Sequence, residues 1–311
     1  DPFTPEPGFT SLFNGRDLTG WGYRVTSAED IKAAEGWRKS DPNAPPWPGA
    51  NSVVTGEIPP GAVTAFFGPT GAGKTTLMKL LSRQIPATSG TVRVFGLSYD
   101  EREKAIKNRI GYVPQEPVYY ADRSVEFNAR FAASFYEHWD GGAFYRMLDE
   151  FKVSREKAIK RLSRGQKTLL SIALALSHGA ELLILDEPTA GLDVILRRAV
   201  LERFREFVAD GERAVVVASH ITDGLEDIAE YIHFLSEGRL VFESEKDDLL
   251  ARWKRVHFKD GVLAPDLVGQ LVDVRRLPFG SSGLARDFPA IRERLAAGIA
   301  SGDVKVENAP L

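Results

Sequence analysis

From about Ser52 onward, short apolar runs alternate with longer stretches in which apolar residues return every three or four positions. The first pattern predicts strands and the second helices. Ser52–Glu57 reads as a strand, Pro59-Pro60-Gly61 as a turn, and Ala62–Phe67 as a buried strand. A helix is expected from Gly73 to about Arg83, and short strands at Thr91–Phe95 and Ile110–Val113. Leu182–Leu185, Ala214–Ala218 and Ile232–Leu235 are apolar strands, with a helix over Val194–Phe207 between the first two. This alternation predicts an α/β fold with a mainly parallel sheet flanked by helices.

Three stretches break the rhythm. Residues 116–165 read as a small helical subdomain, in which Val125, Phe127, Phe131 and Phe135 mark one amphipathic helix and Phe144–Phe151 another. Residues 1–51 are rich in Pro, Gly and Trp, with Trp21, Trp37 and Trp47 among them, and lack that pattern. Residues 246–311 form a C-terminal α+β extension to the main domain at 52–245.

Composition narrows the function. Of 311 residues, 43% are hydrophobic and 27% charged, as in ordinary globular proteins. A net charge of −3 gives no reason to expect a nucleic-acid partner. The absence of cysteine excludes disulfides, thiolate catalysis and cysteine-based metal sites. A spanning helix needs about 20 mostly apolar residues. The most apolar stretch, Leu169–Leu185, is interrupted by Ser171, Ser177, His178, Gly179 and Glu181. No basic segment followed by an apolar core opens the sequence, so no signal peptide is expected. Any membrane-spanning part would therefore belong to another chain.

The sharpest chemical signal is Gly68-Pro69-Thr70-Gly71-Ala72-Gly73-Lys74-Thr75, followed by Thr76. It fits the pattern G-x-x-x-x-G-K-S/T between an apolar strand and a helix. Its glycines let backbone N–H groups turn inward around phosphate oxygens, and the helix N-terminus adds partial positive charge. Lys74 is expected to reach the β- and γ-phosphates of ATP, and Thr75 to bind Mg²⁺. Leu182–Leu185 then runs into Asp186 and Glu187. At the carboxyl edge of a parallel sheet, Asp186 would hold Mg²⁺ and Glu187 would polarise an attacking water.

With these in order, the sequence resembles the ATP-binding subunit of an ABC transporter over about residues 52–245. Leu162-Ser163-Arg164-Gly165-Gln166 is similar to the LSGGQ signature, with Arg164 at a glycine position. Gln115 matches the glutamine loop, Ala190-Gly191-Leu192-Asp193 the D-loop, and His220 the switch histidine. The resemblance implies an ATP hydrolase on the inner face of the cell membrane, peripheral and cytoplasmic. Two such domains would pack head to tail around two ATP molecules and power a separate transmembrane permease. Ser163, Gly165, Gln166 and Asp193 would complete the partner's nucleotide site. Gln115 would touch the metal or the water, and His220 the γ-phosphate. The short helical insertion, with Phe135-Tyr136 before Trp139-Asp140, looks like ABC-2 type exporters. The family also carries an adenine-stacking aromatic about 25–30 residues before the loop lysine, and Trp47 falls in that window. A soluble ABC-class ATPase uncoupled from transport is the alternative.

Residues 8–50 resemble something else. Gly8–Trp21 is similar to the start of a 3-keto-disaccharide hydrolase-like (DUF1080) domain, but too little of it is present for a two-sheet sandwich. The segment is expected to carry no sugar chemistry. The chain reads as a join of unrelated pieces, which leaves an inactive chimera as a further alternative.

Overall fold

The structure, a computed structural model, describes residues 11–13, 20–22, 60–86, 92–220 and 224–309. Trp47 and the strand expected at Ser52–Glu57 lie outside them. The chain divides into two compact units, Asp1–Glu243 and Ser244–Leu311.

In the first unit, β1 (Ser11–Phe13) and β2 (Gly20–Gly22) form an antiparallel pair. Next come β3 (Val63–Phe67), α1 (Lys74–Leu81), the hairpin β4 (Arg93–Val94) and β5 (Leu97–Ser98), α2 (Tyr99–Asn108) and β6 (Ile110–Val113). Then follow α3 (Val125–Ala133), α4 (Gly141–Glu150) and α5 (Arg164–Leu176). The unit continues through β7 (Leu182–Asp186), α6 (Val194–Val208), β8 (Ala214–Ser219), α7 (Leu225–Ile228) and β9 (Tyr231–Ser236) to β10 (Arg239–Glu245).

Six strands form one sheet in the order β10-β9-β3-β8-β7-β6. β3 runs parallel to β8 and β9, and β7 parallel to β6 and β8. Every residue of β3, β7 and β8 is buried, which is why these strands read as continuous apolar runs rather than alternating ones. One core gathers Phe66, Met78, Leu81, Ile106, Ile184 and Val216. Helix α5 packs on β6, and α6 on β8 and β3. The sheet order sets the carboxyl ends of β3, β8 and β7 side by side, where open α/β sheets receive ligands.

The helical insertion differs from expectation in its facing. Val125, Asn128 and Ala129 are the buried residues of α3, whereas Phe127, Phe131 and Phe135 are exposed. Aromatic spacing located the helix, but small and polar residues supply its inner face.

The second unit contains α8 (Lys246–Arg252), β11 (Lys254–Phe258), α9 (Pro265–Val268), β12 (Leu271–Leu277), β13 (Gly280–Ala285), α10 (Phe288–Ser301) and β14 (Val304–Asn308). Its four-stranded sheet has the order β12-β13-β11-β14, and each neighbouring pair is antiparallel. From β11 on, the succession strand, helix, strand, strand, helix, strand makes this a split βαβ, ferredoxin-like arrangement. Val256, Phe258, Leu267, Leu271, Ile291, Leu295 and Val304 form its own core. Among the described residues, no helix of the chain is long and apolar enough to cross a membrane.

Candidate functional site

The loop between β3 and α1 is built to hold anions. Gly68, Gly71 and Gly73 have φ values of 154°, 85° and 100°. A Cβ on Gly68 would stand 2.1 Å from the carbonyl oxygen of Leu235, so no other residue fits there. Gly73 caps α1 without any side-chain bond, and no acidic residue occupies the first turn. The helix therefore presents free N–H groups and its positive dipole end to the loop.

Lys74 is buried, and its Nζ donates to the carbonyls of Gly68 at 2.7 Å and Pro69 at 3.1 Å. Burial lowers its pKa, and the charges of Glu187 and Asp186 act against that shift. The ammonium thus sits inside the cradle, poised for exchange of two carbonyls for phosphate oxygens. Thr75 follows on α1, and its hydroxyl donates to Asp186 Oδ1 at 3.2 Å; Thr76, next in line, is exposed.

Asp186 ends β7. Its Oδ2 is buried and makes no hydrogen bond, and burial is the first cause of its raised pKa. An orphaned carboxylate oxygen beside a threonine hydroxyl is a hard oxygen pair suited to Mg²⁺. The residues present therefore fit that cation.

Glu187 is held from several directions. Its backbone has φ 52°, in the left-handed region, and its N–H donates to the Ala218 carbonyl at 2.9 Å. Its Oε1 accepts from the His220 N–H at 3.0 Å and lies 2.8 Å from His220 Nδ1. Its Oε2 accepts from the Ser219 hydroxyl at 3.1 Å. Ser219 was the residue that sequence reasoning passed over. Its only visible sign was a hydroxyl breaking the apolar run Ala214–Ala218 just before a histidine.

The remaining motif residues lie nearby in sequence order but have local partners of their own. Ser163 caps α5 in a reciprocal box: its hydroxyl accepts from the Gln166 N–H, and the Gln166 side chain accepts from the Ser163 N–H, both at 3.2 Å. Arg164 is exposed at the first turn. A Cβ on Gly165 would lie 3.2 Å from both the Gly191 carbonyl and Leu192 Cδ2, so the signature packs against the D-loop of its own chain. Asp193 caps α6 through Leu196 N–H at 2.9 Å. Gln115 stands exposed just past β6. The structure brings Gly68, Lys74, Thr75, Asp186, Glu187 and His220 together; it gives Gln166 and Asp193 capping roles.

A buried lysine in a glycine cradle after one strand, beside a carboxylate pair at the end of a parallel strand of the same sheet, defines a phosphate-loop ATPase. Residues 52–190 match the family described as ABC transporter. The chain is 33% identical over 196 residues to the lantibiotic transport ATP-binding protein SrtF of Streptococcus pyogenes, covering 62% of this chain and 83% of that one. It is 30% identical over 233 residues to the bacitracin transport ATP-binding protein BcrA of Bacillus licheniformis, covering 73% and 76%. With YcbN of Bacillus subtilis, an uncharacterized ABC transporter ATP-binding protein, it shares 30% identity and spans 65% of that length. A solved structure of an ATP-binding subunit of an ABC transporter superposes with a TM-score of 0.58 at 27% identity, covering 64% of this chain and 84% of that chain. The chain belongs to the ABC transporter ATP-binding family. It is an ATP-binding and ATP-hydrolysing subunit of that class.

Proposed function

We propose that this subunit powers an ABC-2 type exporter, with Lys74, Thr75, Asp186 and Glu187 as its working residues. The observation that carries the reading is the buried, unbonded Asp186 Oδ2 beside Thr75, one residue from a carboxylate held by His220. Lys74 leaves the Gly68 and Pro69 carbonyls to hold the β- and γ-phosphates, aided by the N–H groups at the start of α1. Thr75 and Asp186 would hold Mg²⁺, which when bound neutralises phosphate charge; Gln115 completes that set. Glu187 accepts the proton of the attacking water while His220 faces the γ-phosphate. Gly68 through Thr76 line the phosphates. Ser163, Gly165 and Asp193 of a second copy close the site, so turnover needs a dimer. Trp47, outside the described residues, is the candidate for stacking on adenine.

The permease contact is proposed at α3 and the loop before it. Tyr120, Phe127, Phe131 and Phe135 are exposed and stack edge to face at 5.0–5.8 Å, and Val118 lies nearly bare beside them in sequence. A contiguous exposed aromatic surface of this kind suits a protein partner. A peripheral position on the inner face of the membrane, without nucleic acid as partner, belongs to the same reading. Domain limits of 52–245 for the ATPase and 246–311 for the extension follow from this reading. The DUF1080-like residues 8–50 contribute no sugar chemistry; removing residues 1–50 tests whether they matter for turnover at all.

Lys74→Ala abolishes the Mg·ATP-dependent thermal shift. Glu187→Gln keeps that shift, lowers kcat by about 10²–10³-fold, and accumulates an ATP-bound dimer by size-exclusion chromatography. Wild-type protein that binds no Mg·ATP at millimolar nucleotide refutes the site. Co-purification with a multi-span permease separates transport from a soluble role.

A further inference from the structure

We propose that Ser219 is a positioning residue that fixes the plane of the Glu187 carboxylate relative to the phosphate loop. The inference rests on Glu187 being the group that activates water.

A glutamate carboxylate turns about a broad two-fold torsion, so a bond to one oxygen leaves the other free to swing. In this site both oxygens are held. His220 engages Oε1 through its N–H and Nδ1, and Ser219 engages Oε2. The two anchors differ in kind. The His220 side chain is about half exposed, so its Nδ1 contact is open to exchange when ATP arrives. Ser219 is 1% exposed, and its hydroxyl donates to Glu187 Oε2 out of reach of solvent. When the His220 ring turns toward phosphate, the Ser219 hydroxyl is the one side chain still holding the carboxylate, with the His220 N–H left on Oε1 and Ser219 alone on Oε2.

The backbone gives that bond its reference. Ser219 is the last residue of β8 and pairs with Phe67, the last residue of β3 before Gly68. Its neighbour Ala218 pairs with Asp186 and accepts the Glu187 N–H. The hydroxyl is thus registered to the strand carrying the phosphate loop and to the strand carrying the base. Left-handed backbone at a glutamate persists only where its surroundings fix it, and the Ala218 carbonyl and Ser219 hydroxyl are those surroundings. Preorganised geometry of this kind acts on the chemical step rather than on binding. All other residues of β8 are alanine or valine; the one hydroxyl falls where it meets the carboxylate.

The test is steady-state ATPase kinetics on the full chain. Ser219→Ala should lower kcat about tenfold, with KM for ATP within twofold of wild type and the Mg·ATP thermal shift retained. Ser219→Thr, which keeps the hydroxyl, should recover kcat to within about threefold. Added to Glu187→Gln, Ser219→Ala should change the residual turnover by less than twofold. The inference is overturned if Ser219→Ala keeps wild-type kcat, if Thr recovers nothing, or if the alanine costs the same tenfold without the Glu187 carboxylate. Should Glu187→Gln itself turn over normally, the reading of the base fails instead; normal Ser219→Ala with dead Glu187→Gln rejects only the positioning role.

Discussion

Asp186 carries a stability cost that its proposed role as a cation ligand explains. Its carboxylate is buried, one oxygen is unbonded, and its pKa is raised chiefly by burial, with the Thr75 hydrogen bond partly opposing. A carboxyl with a raised folded pKa favours the fold when protonated, and that contribution is lost as pH rises through the folded pKa. Asp186→Asn mimics the protonated form. It should raise Tm of the nucleotide-free chain, with a gain over wild type that grows from acid to neutral pH, while ATPase activity collapses. Differential scanning calorimetry across pH reads this, and a lower Tm at pH 7 contradicts it. The meeting of Lys74, Thr75 and Asp186 in one cradle was legible in sequence because phosphate chemistry demands fixed residue types at fixed spacing. Ser219 was not, because a serine at a strand end has no such spacing to betray it. Nor could spacing reveal that Gln166 spends its side chain on capping Ser163.

At the scale of elements, Asn128 explains how an aromatic surface can be displayed without its helix dissolving. Buried on α3, it accepts from Tyr120 N–H at 2.9 Å and donates to the Tyr120 and Ser124 carbonyls at 3.3 and 2.9 Å. It therefore ties the loop carrying Tyr120 to the helix carrying Phe127 and Phe131. Asn128→Ala should cost about 1–3 kcal/mol, because three backbone groups lose a side-chain partner. Chemical denaturation measures the loss, and weaker permease capture should accompany it. Strands β3, β7 and β8 were legible because burial on both faces leaves only apolar side chains. The facing of α3 was not legible. Hydrophobic periodicity assumes that large apolar residues point inward, and here Asn128 and Ala129 take that place.

For the whole molecule, the extension after β10 is more than a tail. It read weakly in sequence because β12 carries Arg275-Arg276 and β13 is Gly280-Ser281-Ser282-Gly283 before Leu284, which hides the usual strand pattern. Yet it has its own sheet and core. A fragment spanning 244–311 should fold alone, with dispersed amide resonances and a cooperative thermal transition. Small domains bury proportionally less surface, so a stability of only a few kcal/mol is expected; a random-coil spectrum would refute it. The strand order has one more consequence. β11 and β14, first and last strands of that sheet, lie side by side, and Lys254 opposite Asn308 closes the pair. Chain enters and leaves such a sheet at one spot, so a gene could gain or shed the whole module, or carry on beyond it, without rethreading anything.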